Sequence, residues 1–242
     1  MSLALKLALS PLLVAQAVAV RRRAPVLPEA IGPREGRLGG RGPALRVLIA
    51  GDSSAAGVGV AHQEQSVAGH LTRILHPLVG RPLTWTLRAR SGLTTRQLHE
   101  LLQADRPPAA DIAVVITGVN DVIDQLPSQR AVAHRAALAD WLLAERLAAH
   151  VVFAPLPPIH QFPLLPQPLR RVMGDDARRH NTALAAWAQT RADVSWVPIA
   201  LTLSADTMAS DGFHPGEPVY RICGEALAGF VAEQWIHMET IR

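Results

Sequence analysis

Three residue types that can together activate a hydroxyl nucleophile occur in two short segments of the chain. Ser53 lies in the segment GDSS at residues 51–54, and Asp211 and His214 lie in the segment DGFH at residues 211–214. A serine hydroxyl is a weak nucleophile, so it needs a base within hydrogen-bond reach and an acceptor that orients the base. Because the spacing from Asp211 to His214 puts acid and base on a single turn, it predicts an acid–base pair that faces Ser53.

The elements that must position these residues alternate between strand and helix. Short β-branched, apolar runs indicate buried strands, and apolar residues at spacings of three and four indicate helices. The predicted strands are Leu45–Ala50, Thr84–Ala89, Ile112–Thr117, Val151–Ala154 and Val194–Ile199, and the predicted helices lie near Val67–Leu78, Thr94–Ala104, Gln129–Ala149, Leu169–Arg191 and Gly216–Trp235. This alternation predicts a three-layer α/β/α fold with a doubly wound, mostly parallel, five-stranded sheet of the flavodoxin-like kind. Ligands of such folds bind beyond the carboxyl ends of the strands.

Four sequence blocks fall at the ends of the predicted strands or before the last helix. GDS at 51–53 follows the first strand, Gly92 follows the second, GVND at 118–121 follows the third, and DGFH at 211–214 precedes the last helix. In order and spacing these blocks resemble the GDS, Gly, GxND and DxxH blocks of the SGNH-hydrolase superfamily, the GDSL-type esterases and lipases. The resemblance covers the chain from about Leu45 to the C-terminus, although SGLTT around Gly92 departs from the fuller versions of that block.

The resemblance implies a serine hydrolase that needs no cofactor and no metal. Ser53, Asp211 and His214 correspond to the catalytic residues, with Ser53 favoured over its neighbour Ser54 because it directly follows Gly-Asp. The oxyanion hole implied by the family consists of the backbone N–H groups of Ser53 and Gly92 and the side-chain amide of Asn120. A glycine lets the backbone approach a ligand closely, and an asparagine offers an uncharged N–H₂ donor.

The composition of the chain argues against other classes of function. Of the 242 residues 49% are hydrophobic and 18% are charged, which indicates a globular chain. The formal net charge is +4, but the cations form no stripe interleaved with aromatic residues, so nucleic acid is not an expected partner. Neither a His-Glu-x-x-His segment nor a cysteine pair indicates a metal site, and no P-loop or Gly-x-Gly-x-x-Gly segment indicates a bound nucleotide.

The N-terminal region differs in composition from the rest. Residues 3–20 are almost wholly apolar and Arg21–Arg23 follow, whereas residues 24–43 are rich in Pro, Gly and Arg. We therefore predict an apolar helix with an arginine cluster over 1–23, an irregular linker over 24–43 and the hydrolase domain over 44–242. The helix is short for a membrane span, so it lies either on a membrane surface or on the domain's own apolar surface. The arginines favour anionic lipid and a cytoplasmic location over secretion.

The substrate is indicated by a second apolar region. The proline-rich segment Pro155–Pro168 carries several large apolar side chains and follows a predicted strand, so it leaves the same sheet edge as the catalytic segments. Together with the N-terminal helix it favours a small-molecule ester or thioester with a lipophilic acyl chain. Two alternatives stay open: removal of acetyl groups from a carbohydrate or small molecule, and a fold that binds ligands without catalysis.

Overall fold

Strands and helices alternate along most of the chain. The structure is a computed structural model that describes residues 3–241 and, within them, the side chains of all but residues 3–7, 239 and 241. Residues 1 and 2 of the predicted N-terminal helix and Arg242 of the predicted domain lie outside the described residues. The helices are α1 (Leu3–Arg23), α2 (Val67–Val79), α3 (Thr95–Ala104), α4 (Val119–Ile123), α5 (Ser128–Ala144), α6 (Leu169–Ala188) and α7 (Glu217–Ile241), and the strands are β1 (Glu35–Leu38), β2 (Leu45–Gly51), β3 (Leu83–Ala89), β4 (Ile112–Ile116), β5 (His150–Phe153) and β6 (Val194–Trp196).

The strands form one mostly parallel sheet in the order β1-β3-β2-β4-β5-β6. From β2 the chain crosses to β3 on one side and then to β4 on the other, and all four pairs among β2–β6 are parallel. The order of the sheet therefore reverses at β2, and the loops after β2 and β4 diverge at its carboxyl edge. The predicted doubly wound α/β fold is confirmed, and the reversal marks the crevice where such folds bind ligands.

The sheet has six strands, one more than predicted. The additional strand, β1, lies within the segment predicted to be an irregular linker and pairs antiparallel with β3 at the edge of the sheet. Its four residues, EGRL, include a single large apolar side chain, so they carry no periodic pattern that would indicate a strand. Backbone hydrogen bonds to the open edge of β3 hold them instead.

Two apolar layers cover the two faces of the sheet. On β2 the side chains of Val47 and Ile49 join one layer and those of Leu48 and Ala50 join the other. Helices α2 and α7 pack on the first face, and α3, α5 and α6 contribute to the second. Because β2 is buried on both faces, its sequence is a continuous apolar run, as is typical of central strands in parallel sheets.

A third apolar cluster lies outside the two layers of the sheet. It combines the proline-rich segment with α6 and with the loop that precedes α7, and it includes the buried Phe162, Leu165, Met173 and Leu203. Helix α1 packs on this cluster through Leu13 and Val20. Over the described residues, no helix has both the length and the apolar character needed to cross a bilayer.

Candidate active site

The turn that carries Ser53 depends on close packing between two strands. Gly51 ends β2, and a Cβ atom there would lie 2.1 Å from the carbonyl oxygen of Ile116 and 2.7 Å from the Cβ atom of Ala55. Only glycine therefore lets the chain pass this point and turn. After it, the backbone N–H of Val58 donates to the carbonyl oxygen of Ser53 at 3.0 Å, which closes a tight turn around the serine.

The loop before α7 folds around a single carboxylate. One oxygen of Asp211, Oδ1, accepts the backbone N–H groups of Phe213 and His214, each at 2.9 Å. Its other oxygen, Oδ2, lies 2.6 Å from Nδ1 of the His214 ring. The carboxylate therefore fixes both the backbone of the loop and the orientation of the imidazole.

The second ring nitrogen of His214 faces the serine hydroxyl. Nε2 lies 3.0 Å from Oγ of Ser53, although the two residues are 161 positions apart in the chain. An ionised carboxylate only accepts hydrogen bonds, so Nδ1 carries the ring hydrogen toward Asp211 and Nε2 accepts the Ser53 O–H. The neighbouring Ser54 uses its backbone N–H to donate to Oδ1 of Asp52 at 3.0 Å.

The surroundings of Asp211 favour its ionised form. Burial by itself would raise the pKa of Asp211, but the hydrogen bonds from the His214 ring and from the backbone N–H groups of His214 and Phe213 outweigh it. The net effect holds the pKa of this carboxyl below its ordinary value. Asp211 is consequently a charged acceptor at neutral pH, which is the state that orients the imidazole.

Besides Ser53, the two residues predicted to form the oxyanion hole follow two different strands. Gly92 lies in the loop after β3, and Asn120 lies in the first turn of α4, after β4. The Nδ2 atom of Asn120 donates one hydrogen to the carbonyl oxygen of Leu93 at 3.0 Å, which ties the two loops together. An amide nitrogen has two hydrogens, so a second N–H can donate to a ligand.

A buried carboxylate also joins these two loops. Asp121 is 0% exposed and accepts two hydrogen bonds from Thr95 at the start of α3. The backbone N–H of Thr95 donates to Oδ1 at 3.0 Å and its hydroxyl donates to Oδ2 at 2.5 Å. The loop that carries Gly92 is thereby fixed to the loop that carries Asn120.

A buried arginine completes this connection. The side chain of Arg135, on α5, is 1% exposed; its Nη1 lies 3.6 Å from Oδ2 of Asp121 and its Nη2 donates to the carbonyl oxygen of Thr117 at 3.2 Å. Gly118 has a φ of 127°, a conformation that favours glycine, and a Cβ atom there would lie 1.9 Å from Nη2 of Arg135. The guanidinium fills the space that a side chain at position 118 would need.

Burial shifts the pKa values of Arg135 and Asp52 toward the neutral form of each side chain. Burial lowers the pKa of Arg135, against the opposing effect of Asp121 and Asp52. Burial also raises the pKa of Asp52 to about 6, against the opposing effect of the Ser54 N–H. Asp52 and Asp121 are structural carboxylates, and the hydrogen bonds that they accept brace the loops around them.

Some residues that support the site are not among those predicted from the sequence. On α5, Arg135 shares a buried face with Ala131, Leu138 and Leu142, so a cation on an otherwise apolar helix face was the signal for it. Glu29 accepts the backbone N–H of Ser91 at 2.7 Å, directly before Gly92. No sequence pattern indicates that contact, because Glu29 lies in the segment predicted to be a linker.

Two spaces adjoin the site. A small one of about 20 Å³ lies beside Ser53 and His214 and is lined largely by apolar side chains that include Phe162 and Phe213. A larger cleft of about 560 Å³ includes Gly92 and Asn120. Its other lining residues are Ala17, Val18, Val20, Arg21, Ala24, Ile123, Asp124, Leu164, Leu165, Leu169, Met173 and Phe213.

The apolar side chains of the proline-rich segment lie in two places. Leu156 and Ile159 are buried in the third apolar cluster, Leu164 lines the larger cleft, and Leu165 does both. The segment also reaches the acid–base loop, since the backbone N–H of Leu164 donates to the carbonyl oxygen of Gly212 at 3.0 Å. Within the part of the chain that the structure describes, no three His, Cys, Asp or Glu side chains lie close enough together to hold a metal ion.

Comparison with known proteins identifies relatives of the chain. The GDSL-like Lipase/Acylhydrolase family model matches residues 49–222. The chain is similar to the GDSL-like esterase Rv1075c of Mycobacterium tuberculosis, with 28% identity over 76% of this chain. The match spans 60% of that relative's length.

Solved structures share the fold at lower identity. The chain is similar to the lipase Lip_vut3 from a goat rumen metagenome, with a TM-score of 0.61 and 16% identity over 78% of this chain and 97% of that one. It is also similar to Est24, a carbohydrate acetylesterase from Sinorhizobium meliloti, with a TM-score of 0.59 and 17% identity over 78% of this chain and 99% of that one. The resemblance predicted from the four sequence blocks is confirmed. With its blocks in order and more than half of its length matched, this chain belongs to the GDSL-like lipase/acylhydrolase family.

Proposed function

We propose that the protein hydrolyses carboxylic esters through an acyl-enzyme formed on Ser53. The observation that carries the proposal is the continuous chain from Oγ of Ser53 through the His214 ring to Asp211, with distances of 3.0 Å and 2.6 Å. His214 takes the hydroxyl proton as Oγ attacks the ester carbonyl, and then gives that proton to the departing alcohol. Water repeats the sequence on the acyl-enzyme and releases the carboxylic acid.

The negative charge of the tetrahedral intermediates falls on the former carbonyl oxygen. We assign its stabilisation to the backbone N–H groups of Ser53 and Gly92 and to the side-chain amide of Asn120. Because Gly92 and Asn120 belong to loops that Asp121 and Arg135 brace, these two donors need little rearrangement as the charge develops. Such preorganised donors are usually the largest single contribution to catalysis of acyl transfer.

The cleft beside Gly92 and Asn120 supports a lipophilic acyl chain as the substrate's acid part. Its lining is largely aliphatic, and its volume of about 560 Å³ lies within the range of pockets that hold small organic ligands. An acyl chain that enters the cleft is removed from water, and each methylene group that becomes buried contributes about 0.8 kcal/mol to the binding free energy. Esters of medium or long fatty acids are therefore the substrates we expect.

Removal of acetyl groups is the second candidate activity. The space directly beside Ser53 and His214 is only about 20 Å³, a size that suits a small group on that side of the serine. Est24, whose fold is similar, is described as a carbohydrate acetylesterase. An enzyme of this kind would hydrolyse acetyl esters as well as or better than esters with longer acyl chains.

Two neighbouring serines provide a matched test of the proposed chemistry. Ser53→Ala is expected to lower kcat for a p-nitrophenyl ester by about 10⁶-fold, whereas Ser54→Ala retains turnover. Mass spectrometry after treatment with a fluorophosphonate should find the label on Ser53. Turnover that survives Ser53→Ala, or a label on Ser54, would contradict the assignment, and absence of turnover across all acyl lengths would leave a binding function.

A series of p-nitrophenyl esters from acetate to dodecanoate separates the two candidate substrates. We expect kcat/KM to rise with acyl length until the cleft is filled. A sharp preference for acetate would overturn the lipophilic assignment and favour the deacetylase, while leaving the role of Ser53 intact.

A further inference from the structure

Helix α1 is fixed to the domain at a defined position. Its Gln16 side chain forms two hydrogen bonds with backbone groups at the start of α6: Nε2 donates to the carbonyl oxygen of Gln167 at 2.6 Å, and Oε1 accepts the N–H of Leu169 at 3.1 Å. Leu13 and Val20, at helical spacing on either side of Gln16, pack on the third apolar cluster. The inward face of α1 is therefore held by both polar and apolar contacts.

The docked helix supplies part of the cleft that contains the oxyanion-hole residues. Ala17, Val18 and Val20 belong to the same lining as Gly92 and Asn120. The helix thus adds a run of aliphatic surface next to the position where the carbonyl carbon of an ester is attacked. Apolar surface at this position is suited to bind the hydrocarbon part of a substrate.

We propose that α1 is part of the substrate site, where Ala17, Val18 and Val20 bind the acyl chain of an ester whose carbonyl oxygen lies at Gly92 and Asn120. This inference rests on the proposed esterase function and assigns the acyl-binding wall to the N-terminal helix. Each methylene group that contacts this wall is expected to raise kcat/KM by about fourfold, the factor that corresponds to its burial.

Two alanines on the same helix provide the test. Both are exposed, but Ala17 lines the cleft and Ala15 does not. Ala17→Trp is expected to lower kcat/KM for p-nitrophenyl decanoate by roughly fifteenfold, as if two buried methylene groups were lost, and to lower kcat/KM for the acetate ester much less. Ala15→Trp in the full chain should change neither value.

A second pair of variants makes a smaller change. Val18 lines the cleft, and Val14 lies on the exposed side of the helix. Val18→Ser should lower kcat/KM for the decanoate ester about fourfold, and Val14→Ser should not. If wild type prefers longer chains but Ala17→Trp and Val18→Ser keep its chain-length profile, or lower acetate and decanoate hydrolysis equally, the role of α1 is refuted while the esterase assignment stands. A wild-type preference for acetate refutes the role of α1 together with the lipophilic substrate, and leaves Ser53 as the proposed nucleophile.

The outward face of α1 is largely apolar. Helices on a protein surface normally turn polar residues to water, but apart from Ser10 the exposed residues of α1 from position 8 to position 18 are apolar. They include Leu12 and Val14, which are 46% and 62% exposed. Arg21, Arg22 and Arg23, all exposed, follow at the end of the helix.

We infer that this face of α1 docks on an anionic lipid surface. Its apolar side chains enter the boundary of the acyl chains and its arginines contact the headgroups, the arrangement of interfacial helices. Val18 is 45% exposed and also lines the cleft, so the cleft opens beside the docked surface. A lipophilic ester could then pass from the lipid to Ser53 without crossing water.

Vesicle binding tests this inference without reference to catalysis. The full chain should sediment with vesicles that contain phosphatidylglycerol and much less with phosphatidylcholine alone. Val14→Asp should weaken this binding. Substitution of Arg22 and Arg23 by serine should weaken it by about fivefold per residue. No binding to either vesicle would refute the inference. A dimer that Val14→Asp dissociates would do so as well, since the face would then be a subunit interface.

Discussion

The two halves of the proposed active site are held together in different ways. The acid–base half is local: residues 211–214 are consecutive, and three hydrogen bonds to the Asp211 carboxylate shape the loop. The oxyanion half is assembled from distant parts, because Gly92 and Asn120 follow different strands and are joined through Asp121 and Arg135. One half therefore depends on a short segment of backbone, and the other on a buried network of charges.

Because of this difference, substitutions in one half should change activity, and substitutions in the other half should change stability. Replacement of the Asp211 carboxylate by an amide of the same shape should alter chemistry and leave the fold intact, since the amide oxygen can still accept the two backbone N–H groups that shape the loop. A change in the charged network should alter stability, since it leaves a partner buried without compensation. The following substitutions test this comparison.

Asp211→Asn should have the largest effect on catalysis. An asparagine can still accept the two backbone N–H groups, but its N–H₂ group disfavours the ring tautomer that His214 needs, so kcat should fall by about 10⁴-fold with little change in the free energy of unfolding. Asp206→Asn, on the exposed part of the same loop, is the control. Steady-state kinetics and urea unfolding measure both effects, and a large loss of stability in Asp211→Asn would show that the two halves are not held differently.

Arg135→Met should have the largest effect on stability. Removal of the guanidinium leaves the fully buried Asp121 without its cationic partner, so the free energy of unfolding should fall by about 3–5 kcal/mol. Arg130→Met, at an exposed position of α5, should change it little. Urea denaturation of the two variants decides the point. Equal stability of both would mean that the network contributes nothing to the fold.

Asn120→Ala should remove one oxyanion donor and part of the tie between the loops. We expect kcat to fall by about 10²–10³-fold, or 2.7–4 kcal/mol in the barrier, with a smaller change in KM. Gln129→Ala, exposed at the start of α5, serves as the control. A rise in KM at constant kcat would indicate that the Asn120 side chain binds the ground state instead of the charged intermediate.

Asp52→Asn should have a pH-dependent effect on stability. Burial raises the pKa of Asp52 to about 6, so the folded state binds this proton more tightly than the unfolded chain, where the pKa is about 3.9. The resulting stabilisation is complete below about pH 4 and is lost as the pH rises through about 6. Wild type should therefore lose about 3 kcal/mol relative to Asp52→Asn between about pH 4 and pH 8. Urea unfolding of both proteins across this range measures the difference, and a constant difference would contradict it.

The local half of the site and the central fold were predictable from the sequence. The buried parallel strands are continuous apolar runs, and the spacing from Asp211 to His214 indicates a shared turn, so both are encoded by neighbouring residues. The predicted start of each parallel strand lies within one residue of the observed start, whereas β6 ends at Trp196, before the predicted Ile199.

The supporting contacts were not predictable because they join residues far apart in the chain. Strand β1 is held by the edge of β3 and not by a pattern of its own, and Glu29 reaches Ser91 across 62 positions. Helix α5 ends at Ala144 although the predicted helix extends to Ala149, since the chain must turn there to enter β5. Each of these features depends on tertiary packing, which periodicity does not describe.

The missing side chain at Gly51 has a consequence for how this active site can vary. The first residue of the GDS block takes no part in the reaction; it reserves a volume, since even one carbon there would overlap the carbonyl oxygen of Ile116. An alanine at this position would push β2 away from β4 and carry the serine out of reach of the imidazole. The close approach of two backbones thus limits which residue can occupy position 51, and a single unreactive methyl group would be enough to abolish the proposed activity.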